Sequence, residues 1–290
     1  MAVDHAQALR DVLATGEVFI APGCYDALTA LLVEQAGFQC AYLSGASVAF
    51  TRLARPDLGL TTLTEVAETV ACIRDRVTVP LIVDGDNGFG NALNVKRTVR
   101  LLERMGASGI QLEDQQMPKR CGHLEGKKLI STEEMCGKLH AALDARTNDA
   151  TVIVARTDAV AVDGLEAAME RSAAYIEAGA DVLFVESPGS REQMERIGRE
   201  LGPRIPLLAN MVEGGKTPLV PAPQLGDLGY RIVIHPGAMV RVLSRAGARY
   251  LEALKQDGTT LNILDTMNDF SQLNALVGTE ELLRDGQRYE

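Results

Sequence analysis

The segment VDGDNGFG at 83–90 sets two carboxylates, Asp84 and Asp86, two residues apart at the end of an apolar run. Two oxygens so placed reach one cation, directly or through water, although Asp, Gly and Asn also make plain turns. Glu113 closes a second apolar run, GASGIQLE (106–113). Carboxylates crowded at one place repel, so a cation belongs with them. An oxygen-only set favours Mg²⁺, with Mn²⁺ as a substitute, over zinc. Arg156 in ARTD can clamp a substrate carboxylate with two parallel bonds, or pair with Asp158 or Glu186. Ser44, Gly45 and Ala46 can offer backbone N–H groups to an anion, or form a turn. Glu186 and Asn210 can hold the other end of a substrate or brace other side chains. His235 is either a site residue or a hydrogen-bonded histidine on the rim.

The run PKRCGHLEGKK (118–128) places Cys121 among cations and glycines. Lys119 and Arg120 favour an anion beneath them and are expected to lower the thiol's pKa. Gly122 and Gly126 can act as hinges. The segment follows the strand that ends in Glu113, so it lies over whatever that strand end builds. A lid that closes there would exclude water and deliver Cys121 as a general acid or base. The alternative is a surface loop with an incidental thiol.

These residues share a position in a repeated pattern. GFQCAYLS (37–44), GASGIQLE (106–113), GADVLFVE (179–186) and GYRIVIH (229–235) each begin with a glycine suited to the end of a helix and run through apolar residues to a polar one. VPLIVDGD (79–86), ATVIVARTD (150–158) and IPLLAN (205–210) end alike, and EVFIAPG (17–23) completes eight strands of the doubly buried, parallel kind. Helical patterns fill the gaps. In 162–179, Asp163 and Glu166 read as a capping box, with Leu165, Ala168, Met169, Ser172 and Ile176 as the packing face. Segments 62–77 and 131–146 are similar, the latter with Ser131 and Glu134. Alternating strands and helices in this number predict an α/β fold, a (β/α)₈ TIM barrel, whose active site lies at the carboxyl ends of the strands. One barrel domain is expected over 1–290: an N-terminal helix in 1–16, the barrel in 17–258 and a helical extension in 259–290. A doubly wound sheet would need fewer strands, and no GxGxxG follows the first one.

The net charge of −10 argues against a nucleic-acid partner but leaves a small anionic substrate open. No apolar tract is long enough for a membrane span, and the N-terminus lacks the apolar core of a signal peptide. Five cysteines, an odd number without CxxC pairs, suggest free thiols in a reducing cytoplasm. All but Cys121 are expected to be inert core residues.

GCYDALTA (23–30), RPDLGLTT (55–62), VDGDNGFGNALNV (83–95), LEDQQMPKRCGH (112–123), ARTDA (155–159), FVESP (184–188) and ANMVEGGKTPL (209–219) together resemble the isocitrate lyase/phosphoenolpyruvate mutase superfamily. The resemblance implies a barrel, Mg²⁺, and homotetramers (dimers of dimers) that exchange a C-terminal helix. It implies that Asp84 coordinates the ion while Asp57, Asp86 and Glu113 hold its waters. It places Tyr42, Ser44, Gly45, Ala46 and Arg156 on the keto-acid half of a substrate. Lys119, Cys121, Gly122 and His123 become the gating loop, with Cys121 as general acid, and Glu186, Asn210 and Arg241 face a departing carboxylate. The KRCGH run is similar to that of the carbon–carbon lyases of the superfamily, and FVESP and ANMVEGGKTPL look most like the 2-alkylmalate lyase branch. His235 stands where methylisocitrate lyases tend to show tyrosine. The implied activity is cleavage of a 2-hydroxy-2-alkyl dicarboxylate, of the 2,3-dimethylmalate or methylisocitrate type, to a 2-keto acid and a second carboxylate. Hydrolysis or decarboxylation of oxaloacetate, a carboxyphosphonoenolpyruvate phosphonomutase, and a catalytically silent binding barrel are the alternatives.

Overall fold

A computed structural model describes residues 4–290. The chain divides into two compact units, Met1–Met239 and Val240–Glu290. The first holds a closed barrel of eight parallel strands in sequence order. They are β1 (Phe19–Cys24), β2 (Ala41–Leu43), β3 (Leu81–Asp84), β4 (Gly109–Glu113), β5 (Val152–Thr157), β6 (Val182–Val185), β7 (Leu207–Asn210) and β8 (Tyr230–His235). The helices are α1 (His5–Ala14), α2 (Ala27–Gln35), α3 (Gly45–Val48), α4 (Leu63–Arg74), α5 (Ala92–Met105), α6 (Thr132–Ala145), α7 (Leu165–Glu177), α8 (Arg191–Leu201), α9 (Ala222–Asp227), α10 (Ala238–Asp257), α11 (Phe270–Val277) and α12 (Thr279–Gly286). The division at 239/240 falls inside α10. None of the residues of α10 is buried.

The glycines that open four of the strand patterns adopt left-handed conformations, with φ of 83° at Gly37, 99° at Gly106, 94° at Gly179 and 100° at Gly229. They end helices and turn the chain into the sheet, a backbone geometry that side chains with a Cβ resist. The helix starts follow expectation in part. Thr62 and Glu65 form a full capping box on α4, whereas on α6 only the Ser131 arm forms. The box expected of Asp163 and Glu166 is absent: Gly164, with φ of 89°, precedes α7 without a side-chain cap, and Glu166 pairs with Arg196 instead.

Strand alternation explains why the barrel mouth is polar above an apolar interior. Successive residues of a strand point to opposite faces. Ile82, Val152, Val154, Val182, Phe184, Leu208, Ile232 and Ile234 belong to the central core, which reaches down to Leu9 of α1. Two residues further along the same faces stand Asp84, Arg156, Glu186 and Asn210. The site is therefore the top layer of the barrel interior, resting on packed aliphatic layers. At the opposite end Arg10 of α1 donates to the carbonyls of Ala150 (3.0 Å) and Thr151 (3.3 Å) and to Asp181 (2.8 Å), which also pairs with Arg146.

Cys24 and Cys40 lie in the core as expected, but Cys72 is exposed on the outer face of α4 and Cys136 is half-buried. All five thiols are free. Among the described residues no helix is long and apolar enough to cross a membrane.

Candidate active site at the barrel mouth

Asp84 ends β3, and its register partner on β4 is Gln111. Gln111 Nε2 donates to Asp84 Oδ1 (3.1 Å), and the Tyr42 hydroxyl donates to Gln111 Oε1 (2.9 Å). The Tyr42 hydroxyl is thus linked to Asp84 through this amide. Ser44 caps the short α3 by accepting from Ser47 N (3.2 Å). The Gly45 N–H is directed at Asp84 Oδ2 (3.3 Å), so it serves a carboxylate of the protein itself. A Cβ on Gly45 would stand 3.0 Å from Asp84 Oδ2 and 3.4 Å from Asp86 Oδ1. The glycine thus keeps open a cradle between two carboxylates.

Asp57, Asp84, Asp86 and Glu113 are all buried. The positive charge beside them is the ammonium of Lys119, 2.5 Å from both Asp57 and Asp86. Burial works against that charge, but Asp86 and Asp57 outweigh it and hold the lysine pKa well above its usual range. Burial drives the Glu113 carboxyl well above the usual carboxylate range, with Arg156 opposing. It raises Asp86 to about 7, against the pull of Lys119.

Among the described residues no three carboxylate, histidine or cysteine groups already converge as a ligand cage. Lys119 stands between Asp57 and Asp86. The donors still suit a hard divalent cation. Glu113 Oε1 is buried without a hydrogen-bond partner, the Gly45 cradle is lined by two carboxylates, and every candidate donor is oxygen.

Arg156 on β5 faces Glu113 across the register of β4 and β5. Its Nε and Nη2 bind Asp158 at 2.9 and 3.1 Å, and it reaches Glu113 (3.4 Å) and Glu186 (3.3 Å). The guanidinium lies 5.1 Å from the Phe184 ring centroid. Of the two readings of Arg156, the geometry shows the ion pair: it is salt-bridged to Asp158 and Glu186 and buried at the mouth. Burial opposes the Asp158 charge, yet Arg156 and Lys127 bring that carboxyl down to about 2. Asn210 Nδ2 donates to Glu186 Oε2 (3.0 Å), while Asn210 Oδ1 is buried without a partner. His235 pairs with Glu213 at 3.2 Å and is half-buried, the rim histidine of the two readings. Arg241 lies on α10, in the second unit.

The lid leaves the barrel after Glu113 and is clamped at its stem, where Gln115 bridges Leu129 and the Gln116 N–H donates to Lys128 O (2.8 Å). It is closed over the mouth. A Cβ on Gly122 would come within 2.5 Å of Arg156 Nη2 and 2.7 Å of Glu186 Oε2. The Cys121 N–H donates to Asp57 O (3.2 Å), and His123 Nδ1 accepts from Lys216 N (3.1 Å) in the loop after β7. That bond leaves the second ring nitrogen of a neutral His123 as the N–H donor; this Nε2 is buried and 3.6 Å from Glu186 Oε1. The expected lowering of the Cys121 pKa is reversed: burial pushes the thiol up. Lys119 is consumed by Asp57 and Asp86, and Arg120 turns outward to Glu125 O (2.7 Å). The sulfur is therefore a protonated thiol at neutral pH, suited to give a proton.

Three residues that hold the site went unnoticed in the sequence. Gln111 is one. Asp114 accepts from Thr157 Oγ1 (2.8 Å), Asp158 N (3.0 Å) and the Tyr175 hydroxyl (2.9 Å), and so ties β5 to α7. Lys127 is buried beside Asp158. The available signal was their placement: a glutamine inside an apolar strand, or a charge next to buried ones, must find a partner.

The raised carboxyls make metal-free stability depend on pH in an unusual sense. A carboxyl whose folded pKa lies above its unfolded value binds its proton first in the folded state, so it favours folding increasingly as pH falls from about 8 toward about 4. Asp86 and Glu113 are expected to give the metal-free protein a higher Tm at pH 5.5 than at pH 8. Saturating Mg²⁺ is expected to flatten this slope in calorimetry. A metal-free Tm that rises steadily with pH contradicts it.

A profile of the phosphoenolpyruvate phosphomutase family matches residues 9–255. The chain is 46% identical to the 2,3-dimethylmalate lyase of Eubacterium barkeri over 97% of its own length and 96% of that protein's. It is 47% identical to the 2-methylisocitrate lyase of Aeropyrum pernix, covering 93% of this chain and 86% of that one. A crystal structure of a 2,3-dimethylmalate lyase, described as a PEP mutase/isocitrate lyase superfamily member, aligns with a TM-score of 0.93 at 35% identity, over 100% of this chain and 96% of the other. A phosphonopyruvate hydrolase solved with oxalate and Mg²⁺ aligns with a TM-score of 0.90 at 30% identity, over 99% of both chains.

Proposed function

The chain belongs to the phosphoenolpyruvate mutase/isocitrate lyase superfamily, and from that membership we propose a Mg²⁺-dependent carbon–carbon lyase that cleaves a 2-hydroxy-2-alkyl dicarboxylate of the 2,3-dimethylmalate type. The observation that carries the reading is the closed lid, which sets the protonated Cys121 beside Gly122 where the latter rests on Arg156 and Glu186.

Asp84 would hold the ion, and Asp57, Asp86 and Glu113 would hold its waters. Mn²⁺ would serve in place of Mg²⁺. When bound, the ion supplies positive charge against the oxygen that becomes the keto group. Ser44, Gly45, Ala46 and Arg156 bind the keto-acid half, and Arg156 is oriented for it by Asp158. The substrate hydroxyl loses its proton to solvent before the lid seals, and the C2–C3 bond breaks. Its electron pair moves to C3, beside the departing carboxylate. Cys121 Sγ–H then donates a proton to C3, giving a 2-keto acid such as pyruvate and a second carboxylate. Solvent returns a proton to the Cys121 thiolate when the products leave. Glu186 and Asn210 face that second product, and the buried His123 Nε2–H is a further donor toward it. The lid keeps water from the carbanion.

The test is keto-acid release from 2,3-dimethylmalate, 2-methylisocitrate, oxaloacetate and phosphonopyruvate. Release from a 2-alkylmalate is expected to be fastest. It should fall at least ~10²-fold in EDTA, in line with loss of the charge stabilisation a metal provides, and return with Mg²⁺ or Mn²⁺. Turnover of oxaloacetate or phosphonopyruvate alone, or full activity in EDTA, would replace this reading.

We place the enzyme in the cytoplasm as a homotetramer, a dimer of dimers. The free thiols support a reducing compartment. The second unit exposes Leu251, Leu261, Phe270, Leu282 and Leu283, an apolar surface suited to a partner subunit. Light scattering should give four chain masses, and removal of 259–290 should lower that number. A monomeric full-length chain would contradict the assembly.

A further inference from the structure

Lys127 has no part in the chemistry above, yet its ammonium is sealed inside the protein, with the side chain 1% exposed. Burying an unpaired ammonium costs several kcal/mol, so its partners define what it is for. Nζ donates to the carbonyl of Gly122, in the lid, and to Asp158 Oδ1 (2.8 Å), at the mouth. The Gly122 carbonyl also accepts from Ser187 Oγ (3.3 Å). The two oxygens of Asp158 in turn hold Arg156 through Nη2 (3.1 Å) and Nε (2.9 Å). One continuous line of bonds thus runs from the lid backbone through Lys127 and Asp158 to the guanidinium.

The position of Lys127 in the chain matters as much as its bonds. It stands at the stem of the lid, next to Lys128, whose carbonyl is clamped by Gln116 N. Gly122 lies five residues away, at the part that rests on the site. The lysine is anchored at the clamped stem and reaches across to the segment that rests on the site. Were that segment to lift, the Gly122 carbonyl would leave Nζ and water would have to replace it. In the closed arrangement Asp158 is held from one side by Lys127 and from the other by Arg156.

We propose that Lys127 is a positioning residue that couples closure of the lid to the alignment of Arg156, by bonding the Gly122 carbonyl and Asp158 at the same time. This deepens the proposed lyase reading and rests on it only for the effect on turnover. The effect on the lid stands on geometry alone.

The experiment uses the full chain with Lys127→Met. Without ligand, the alkylation rates of Cys121, Cys72 and Cys136 by iodoacetamide are followed by peptide mass mapping. Cys72 is exposed and reports on the fold at large. Cys121 in K127M is expected to react at least about ten times faster than in wild type, with Cys72 and Cys136 unchanged. With 2,3-dimethylmalate, kcat is expected to fall about 10²-fold, the scale of a misaligned catalytic group, and KM to rise by less. Lys127→Gln keeps a donor in a similar volume and takes the place of K127M, with the same expected direction, if the methionine variant does not fold. An unchanged Cys121 rate, or equal acceleration of all three thiols, overturns the proposal. So does a faster Cys121 with unaltered kcat, since it breaks the link to Arg156. If the wild type turns over no 2-alkylmalate, the lyase reading fails while the thiol rates still decide the role of Lys127.

Discussion

Cys121→Ser is expected to cut turnover sharply while leaving the fold and ligand binding in place. The exchange alters one atom on a residue whose backbone is held by Asp57 O, so the lid still closes. What changes is acidity: a hydroxyl is a far poorer proton donor than a thiol, and the carbanion at C3 then goes unprotonated. General acid–base steps contribute about 10²–10⁴-fold, and kcat should drop within that range with KM shifted only slightly. The wild-type pH profile carries a second, independent mark. A group that acts as an acid works below its pKa. Burial raises the Cys121 pKa above the usual thiol value of 9.0. The alkaline limb of kcat should therefore begin beyond pH 9, and be absent from whatever activity C121S retains. If the serine variant keeps turnover within tenfold of wild type, the thiol is not the donor.

Gly122→Ala should damage catalysis nearly as much by a purely steric route. The added methyl would meet Arg156 Nη2 at 2.5 Å and Glu186 Cγ and Oε2 at 2.7 Å, separations that atoms do not tolerate. Neither side chain can yield. Arg156 is fixed by two bonds to Asp158 and by Phe184. Glu186 accepts from Asn210 Nδ2 and, at 2.7 Å, from Ser187 N. The lid must then stop short, or Arg156 must leave its place. A displacement of about 1 Å costs about 10²-fold, so kcat/KM should fall by at least that much. The Tm should hardly move, because Gly122 belongs to the lid and not to the barrel core. A G122A enzyme with wild-type kcat/KM would mean that the closed lid seen here is not the reacting one.

These two residues were legible from sequence because glycines and a cysteine stand out in a short basic run. The mouth residues were legible for another reason. A parallel barrel strand is buried on both faces, so its apolar run stops where the chain reaches the rim, and Asp84, Glu113, Arg156, Glu186 and Asn210 mark those stops. Partnership was harder to read. Tyr42 bonds Gln111 from 69 residues away, and Tyr175 bonds Asp114 from 61. Such pairs exist only after the barrel closes, and no local spacing announces them. The charge of the lid was misjudged on the same account. Lys119 and Arg120 look alike in sequence, but one is buried between two aspartates and the other faces solvent, so neither acidifies Cys121. The helix start before α7 failed for a local reason, since Gly164 turned the chain before the side chain of Asp163 could cap it.

The anchoring of α1 beneath the barrel has a consequence for biosynthesis. Its Arg10 finds partners 140 to 171 residues later in the chain. Ribosomes add some 5–20 residues per second, so this helix waits many seconds with its apolar side unprotected. Contacts so distant in sequence also slow the search for the native state. This helix is thus made well before the strands that seat it, and its apolar side is exposed to aggregation during that interval.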